Sequence, residues 1–70
     1  MKISARNQLK GKVINVIAGS VNTEVHIELA PGVQITSIIT KASAEELDIK
    51  PGKEVFAVVK ASNVIVGVDH

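Results

Sequence analysis

Val21-Asn22-Thr23-Glu24-Val25-His26-Ile27-Glu28-Leu29 alternates strictly, with Val21, Thr23, Val25, Ile27 and Leu29 on one side of an extended chain and Asn22, Glu24, His26 and Glu28 on the other. A period of two marks a strand with one face in a core and the other toward water. Upstream, Gly19-Ser20 supplies a turn, and Lys12-Val13-Ile14-Asn15-Val16-Ile17 is β-branched and apolar enough to be the antiparallel partner. Downstream, Pro31-Gly32 closes the strand and Val33-Gln34-Ile35-Thr36-Ser37-Ile38-Ile39-Thr40 resumes extended structure, so three consecutive strands form a meander.

The period breaks at Ser43-Ala44-Glu45-Glu46, which matches a capping box: Ser43 as N-cap accepts from the third helical amide while Glu46 reaches back to the cap N–H. A short helix is expected there, with Leu47 and Ile49 covering one end of the sheet and Lys50-Pro51-Gly52-Lys53 ending it. Glu54-Val55-Phe56-Ala57-Val58-Val59-Lys60 reads as a fourth strand, Ser62-Asn63 as a tight turn and Val64-Ile65-Val66-Gly67-Val68 as a fifth. Phe56, the sole aromatic, is assigned to the core. The expected architecture is all-β: a five-stranded OB-like barrel with one short helix between strands three and four, in which closure removes exposed sheet edges.

The chain has 70 residues and is read as one domain, 1–70. A domain of this size buries only about 60% of the surface its unfolded chain exposes, so its own core is marginal. There is no cysteine for a disulfide and no Cys/His cluster with structural-zinc spacing. Association is the remaining route to stability, and a hydrophobic fraction of 46% supports burial between copies. An obligate oligomer is therefore expected. The net charge of +1 creates no strong basic field, which argues against a polyanion such as nucleic acid as partner. Lys2 and Arg6 are not followed by an apolar signal segment, and no apolar run reaches about 18 residues. These features predict a cytoplasmic protein without a membrane partner.

Two short segments carry chemistry. Ser4-Ala5-Arg6-Asn7-Gln8 sets a hydroxyl, a small residue that permits close backbone approach and a guanidinium within three positions, and Lys60-Ala61-Ser62 repeats cation, small residue and hydroxyl. If the two lie on neighbouring strands, only donors converge, which is what an oxyanion needs. Taken singly, each residue has a plainer reading: Arg6 as a solvated cation, Lys60 as an edge-strand gatekeeper, Ser43 as a helix cap and Thr40 as an ordinary strand threonine. His26 lies between Glu24 and Glu28 on the polar face, where a solvated or interface role outweighs a metal ligand because no second histidine is near. His70 is terminal and expected to be mobile. With no cysteine nucleophile, no Ser-His-Asp constellation and no carboxylate pair outside Glu45-Glu46, an enzyme is disfavoured, and no organic cofactor or direct cation ligand is expected.

Ser4-Ala5-Arg6-Asn7-Gln8-Leu9-Lys10-Gly11, followed by Thr36-Ser37-Ile38-Ile39-Thr40, Glu45-Glu46-Leu47 and Val58-Val59-Lys60-Ala61-Ser62, closely resembles the molbindins over essentially the whole chain. These are small molybdate-binding proteins related to domains of molybdate-responsive regulators and transporter ATPases. The resemblance implies an OB-like subunit in a hexamer, a trimer of dimers, holding tetrahedral molybdate or tungstate at subunit interfaces for storage or homeostasis. Carried over by motif, Ser4, Ala5, Arg6, Lys60, Ala61 and Ser62 form one wall of the main site, with Thr40 and Ser43 of a neighbouring subunit as the other. A second kind of site near the threefold axes is sought at the Gly19-Ser20-Val21-Asn22 turn.

The donor-only set is suited to molybdate, which carries two charges and no proton at neutral pH. Phosphate keeps a proton that needs an acceptor, and the set contains no Asp or Glu. The rival from another class is a nucleic-acid-binding OB domain, but single-strand binders stack bases on aromatic platforms and this chain has only Phe56. A purely structural oligomerisation module is the third reading.

Overall fold

A computed structural model describes residues 1–69; the expectation for His70 lies outside them. The elements run β1 (Asn7–Ala18), β2 (Asn22–Ala30), β3 (Val33–Thr40), α1 (Lys41–Glu46) and β4 (Glu54–Val59), followed by a single 3-10 turn at Ala61–Asn63. The four strands form one antiparallel sheet in the order β3-β2-β1-β4. The fold is all-β with a short helix between the third and fourth strands, curled into half a barrel.

The alternation in β2 sets the inside of this curl. Thr23, Val25 and Ile27 are buried, while Glu24, His26 and Glu28 are half-buried on the opposite face. Val13, Val25, Ile27 and Ala57 make the core, and Ile35, Ile39, Ile49 and Val55 are among the residues packed around it. β1 is twice as long as Lys12–Ile17 because it serves two partners: Asn7–Lys12 pairs with β4 and Lys12–Ala18 with β2. The register shifts between Val13 and Asn15, and a bulge there bends the strand so that its halves belong to different walls. Bonds from the following turn fix the bend, with Val13 donating to the Lys53 carbonyl at 2.9 Å and Gly52 donating to the Val13 carbonyl at 2.7 Å. Gly52 does this at φ +92°, a conformation that glycine adopts without steric cost.

The helix starts earlier than the capping box implied. Thr40, not Ser43, is the N-cap: it is extended at φ −68° and ψ 152°, and its side-chain oxygen accepts from the Ser43 amide. Ser43 thus occupies the third helical position. Thr40, the last residue of β3, takes the role because the strand geometry already gives it the non-helical dihedrals a cap requires. The helix also ends before Pro51, leaving at Leu47 and Asp48, with Asp48 at φ 54° and the Ile49 amide bonded to the Ala44 carbonyl at 2.9 Å. Lys53 Nζ donates to the Leu47 carbonyl, one of the acceptors the helix end leaves open.

Two further expectations are corrected. Val64–Val68 is not a fifth strand, because the 3-10 turn after β4 directs the chain off the sheet. Phe56 is 51% exposed instead of belonging to the core, since β4 is an edge strand and its ring faces the open side of the half-barrel. That opening is an apolar cavity of about 310 Å³ which Phe56 lines together with Ile39, Leu47 and Val55.

Candidate functional site

The β1–β4 ladder brings the two ends of the chain together. Its last rung pairs Asn7 with Val59, so Arg6 and Lys60 sit one position beyond it, just outside the ends of adjacent strands. Ser4, Ala5, Arg6, Lys60, Ala61 and Ser62 line a single pocket of about 170 Å³. All six residues of the two motifs are therefore on one surface, and no carboxylate lines it.

Local structure explains how the wall is held. Ala5 is buried, 8% exposed, and anchors the segment, while Ser4 and Arg6 on either side are exposed. Gln8 Nε2 donates to the Ala5 carbonyl at 3.0 Å, which occupies that acceptor and ties down the segment before β1. Gln8 is a positioning residue with no role in the sequence reading; the only available signal is an amide side chain three positions after a small residue, a spacing that permits back-bonding to the chain. On the other side Lys60 caps the 3-10 turn, and the Asn63 amide bonds to its carbonyl at 2.9 Å. This withdraws another acceptor. Lys60 lies past the end of β4, so the gatekeeper reading, which needs it inside an edge strand, is not met.

The electrostatics follow from what is missing. Among the described residues the ion pairs are Lys10–Glu54, His26–Glu24 and Lys50–Asp48, so Arg6 and Lys60 are in none of them. Two uncompensated cations and two hydroxyls converge on one concavity. A guanidinium presents planar paired donors, an ammonium a compact point charge, and a serine hydroxyl rotates to donate as needed.

Thr40 and Ser43 are not in this pocket. Thr40 pairs across the sheet with Asn22, and Ala18 at the far end of β1 pairs with Thr23, so they stand near the opposite end of β1 from Asn7. Neither lines the pocket of Ser4, Arg6, Lys60 and Ser62, so one copy does not bring the two groups together. The Thr40 hydroxyl donates to Ser43 Oγ at 2.8 Å and accepts from the Ser43 amide at 3.1 Å. This pairing leaves the Ser43 hydroxyl hydrogen free to point elsewhere.

The Gly19–Asn22 turn, the other site suggested by sequence, adjoins this end. Gly19 donates to the Asn22 carbonyl at 2.8 Å and Lys41 donates to the Val21 carbonyl at 2.8 Å, while Val21 is 70% exposed. His26 Nε2 lies 2.5 Å from Glu24 Oε2 on the outer face of β2. Among the described residues no three potential metal ligands cluster.

Comparison with known proteins matches this geometry to a family. The TOBE domain profile matches residues 3–66. A probable molybdenum-pterin-binding protein of Haemophilus influenzae is 51% identical over 99% of this chain and all of its own length. Among solved structures, MopII from Clostridium pasteurianum superimposes with a TM-score of 0.89 at 52% identity, covering 96% of this chain and all of that one. The cytoplasmic molybdate-binding protein ModG, with molybdate bound, gives a TM-score of 0.92 at 50% identity over 97% of this chain, which spans 48% of ModG. With the half-barrel, the two-ended pocket and these relatives together, the chain belongs to the TOBE domain family.

Proposed function

We propose that this chain is a single-domain binding protein for molybdate and tungstate, acting in cytoplasmic molybdenum storage or homeostasis and performing no reaction on its ligand. The observation that carries the proposal is the carboxylate-free pocket of Ser4, Ala5, Arg6, Lys60, Ala61 and Ser62. A doubly charged tetrahedral anion satisfies every donor there and offers none in return. Its two charges oppose the two unpaired cations. Charge-assisted hydrogen bonds contribute roughly 1.5–3 kcal/mol each, so a few of them reach the ~8 kcal/mol of micromolar binding after ordering costs.

The oxyanion is completed across an interface in an oligomer, a hexamer of three dimers, with Thr40 and Ser43 of another copy as the second wall. Support comes from the distance that separates those residues from the pocket within one chain, and from the Ser43 hydroxyl hydrogen left free by Thr40. The turn at Gly19-Ser20-Val21-Asn22 is the proposed minor site, close to Thr40 in the same end of the fold. The donor-only lining favours the bare oxyanion as the ligand. A nucleic-acid role has no aromatic platform, because the only aromatic ring, Phe56, faces the barrel opening.

Isothermal titration with molybdate, tungstate, sulfate and phosphate tests the proposal. Saturable binding of molybdate and tungstate, with phosphate at least tenfold weaker, is expected. No heat with either of the first two, alongside a gel shift with single-stranded DNA, overturns it.

A further inference from the structure

The residues that line the anion pocket form two tripeptides, Ser4-Ala5-Arg6 and Lys60-Ala61-Ser62. Their side chains bring donors and no carboxylate, but every peptide bond also brings a carbonyl, and a free carbonyl is an acceptor. The peptide bonds inside the two segments carry the carbonyls of Ser4, Ala5, Lys60 and Ala61. All but that of Ser4 accept from a donor of the protein itself. The Lys60 carbonyl accepts from the Asn63 amide at 2.9 Å and the Ala61 carbonyl from the Val64 amide at 3.2 Å. The Ala5 carbonyl accepts from Gln8 Nε2 at 3.0 Å.

These carbonyls are not held alike. On the Lys60 side both donors are main-chain amides of the 3-10 turn, so any sequence that makes the turn engages them. On the Arg6 side the donor is a side chain, and the identity of residue 8 decides whether the acceptor is taken. Gln8 is exposed and is not among the residues that line the pocket. Ala5 is buried, so water competes poorly for its carbonyl when no side chain holds it.

We propose that Gln8 is a specificity-determining positioning residue: by engaging the Ala5 carbonyl it keeps the wall beside Arg6 free of acceptors, and so excludes tetrahedral anions that carry a proton. The inference rests on the oxyanion reading of this pocket and adds the basis of its selectivity. Above neutral pH molybdate, tungstate, sulfate, hydrogen phosphate and hydrogen arsenate all carry two charges on a tetrahedral centre, so Arg6 and Lys60 attract them alike. Phosphate and arsenate differ in bearing one O–H. An O–H that finds no acceptor inside a site costs affinity. Releasing the Ala5 carbonyl supplies one, at the peptide bond that joins Ala5 to Arg6. The Gln8 hydrogen bond therefore acts on the choice between anions and not on the charge that draws them in.

The test uses the whole chain as wild type, Gln8→Met and Gln8→Glu. Methionine keeps the length of the side chain and removes the donor, while glutamate keeps its shape and exchanges the donor for an acceptor. Each protein is titrated calorimetrically above neutral pH with molybdate, sulfate, phosphate and arsenate, the weaker anions being measured by displacement of molybdate. In Gln8→Met, phosphate and arsenate are expected to gain roughly three- to tenfold in affinity relative to sulfate, the effect of one ordinary hydrogen bond, while the ratio of molybdate to sulfate stays as in the wild type. Gln8→Glu is expected to show the same gain in ratio with every anion weakened by the added charge. The sheet signal in circular dichroism should persist in both variants, because Gln8 is exposed. An equal loss for all anions in Gln8→Met would make Gln8 a support of the segment only and overturn the proposal, as would affinities that do not change. A phosphate-to-sulfate ratio in Gln8→Glu that stays at the wild-type value also counts against it. Wild-type protein that binds none of these anions overturns the pocket reading and this role with it, whereas wild-type binding of molybdate with unaltered ratios in the variants overturns the role of Gln8 alone.

Discussion

Asn7 and Val59 close the β1–β4 ladder, and this one rung places Arg6 and Lys60 side by side although 54 positions separate them in the chain. Neither cation is drawn into an ion pair among the described residues. Both are exposed, so replacing them removes no packing core. Arg6→Ala and Lys60→Ala are each expected to weaken molybdate binding by about 10- to 100-fold, from the ~1.5–3 kcal/mol of a charged hydrogen bond, with thermal stability unchanged without ligand. Arg6→Lys keeps the charge and loses the planar fork, so it should fall between wild type and Arg6→Ala in calorimetric titration.

Thr40 and Ser43 separate a structural role from a binding one. Thr40 supplies the cap oxygen for the Ser43 amide, and its loss in Thr40→Ala should cost about 1 kcal/mol of stability. Thr40→Ser retains the oxygen and should unfold near the wild-type temperature. Ser43→Ala leaves the cap intact, since the acceptor belongs to Thr40 and the donor is the Ser43 main chain. Its expected signature is therefore weaker molybdate binding with an almost unchanged melting temperature. A large loss of stability in Ser43→Ala would instead restore the capping box inferred from sequence.

The meander was legible in the sequence because side-chain alternation is local: Thr23, Val25 and Ile27 had only to face one way. The shared surface of the two motifs was legible for a different reason, since matching cation and hydroxyl chemistry at both ends is informative once the ends lie on neighbouring strands. What failed depended on context beyond the window. Ser43 and Thr40 have the same capping chemistry, and the choice between them was made by dihedrals inherited from β3. Hydrophobicity alone puts Phe56 in the core and does not register that β4 is an edge. Val64–Val68 has the composition of a strand, but strand formation needs a partner, and the sequence of one copy does not say whether that partner is its own edge.

Gly11 tests the bend of β1. A Cβ at this position would lie 2.6 Å from Ile27 Cγ2 and 2.7 Å from the Glu28 carbonyl oxygen. The isoleucine methyl can shift by rotation, but the carbonyl is main chain of β2 and has no such freedom. Gly11→Ala is expected to destabilise the fold by about 1–3 kcal/mol, the range for overpacking. At roughly 4–8 °C per kcal/mol for a domain of this size, the melting temperature followed by circular dichroism should fall by several degrees or more. An unchanged melting temperature would mean that β1 and β2 separate more readily at Gly11 than their packing indicates.

Anion binding and assembly should appear together in calorimetry. A ligand that binds only the folded assembly stabilises it by mass action, by about 2.7 kcal/mol at a hundredfold excess over Kd. Because Thr40 and Ser43 stand at the opposite end of β1 from Arg6, a site that uses both groups exists only where two copies meet. Molybdate is therefore expected to raise the melting temperature and to reduce its dependence on protein concentration, since the anion adds contacts across the interface. In the Arg6→Ala, Lys60→Ala double variant both effects should vanish while the concentration dependence of the ligand-free protein remains. Scanning calorimetry over a tenfold range of protein concentration, with and without molybdate, measures all of these. A molybdate-induced rise that is the same at every protein concentration and in a monomeric variant would confine the site to one copy and remove Thr40 and Ser43 from it.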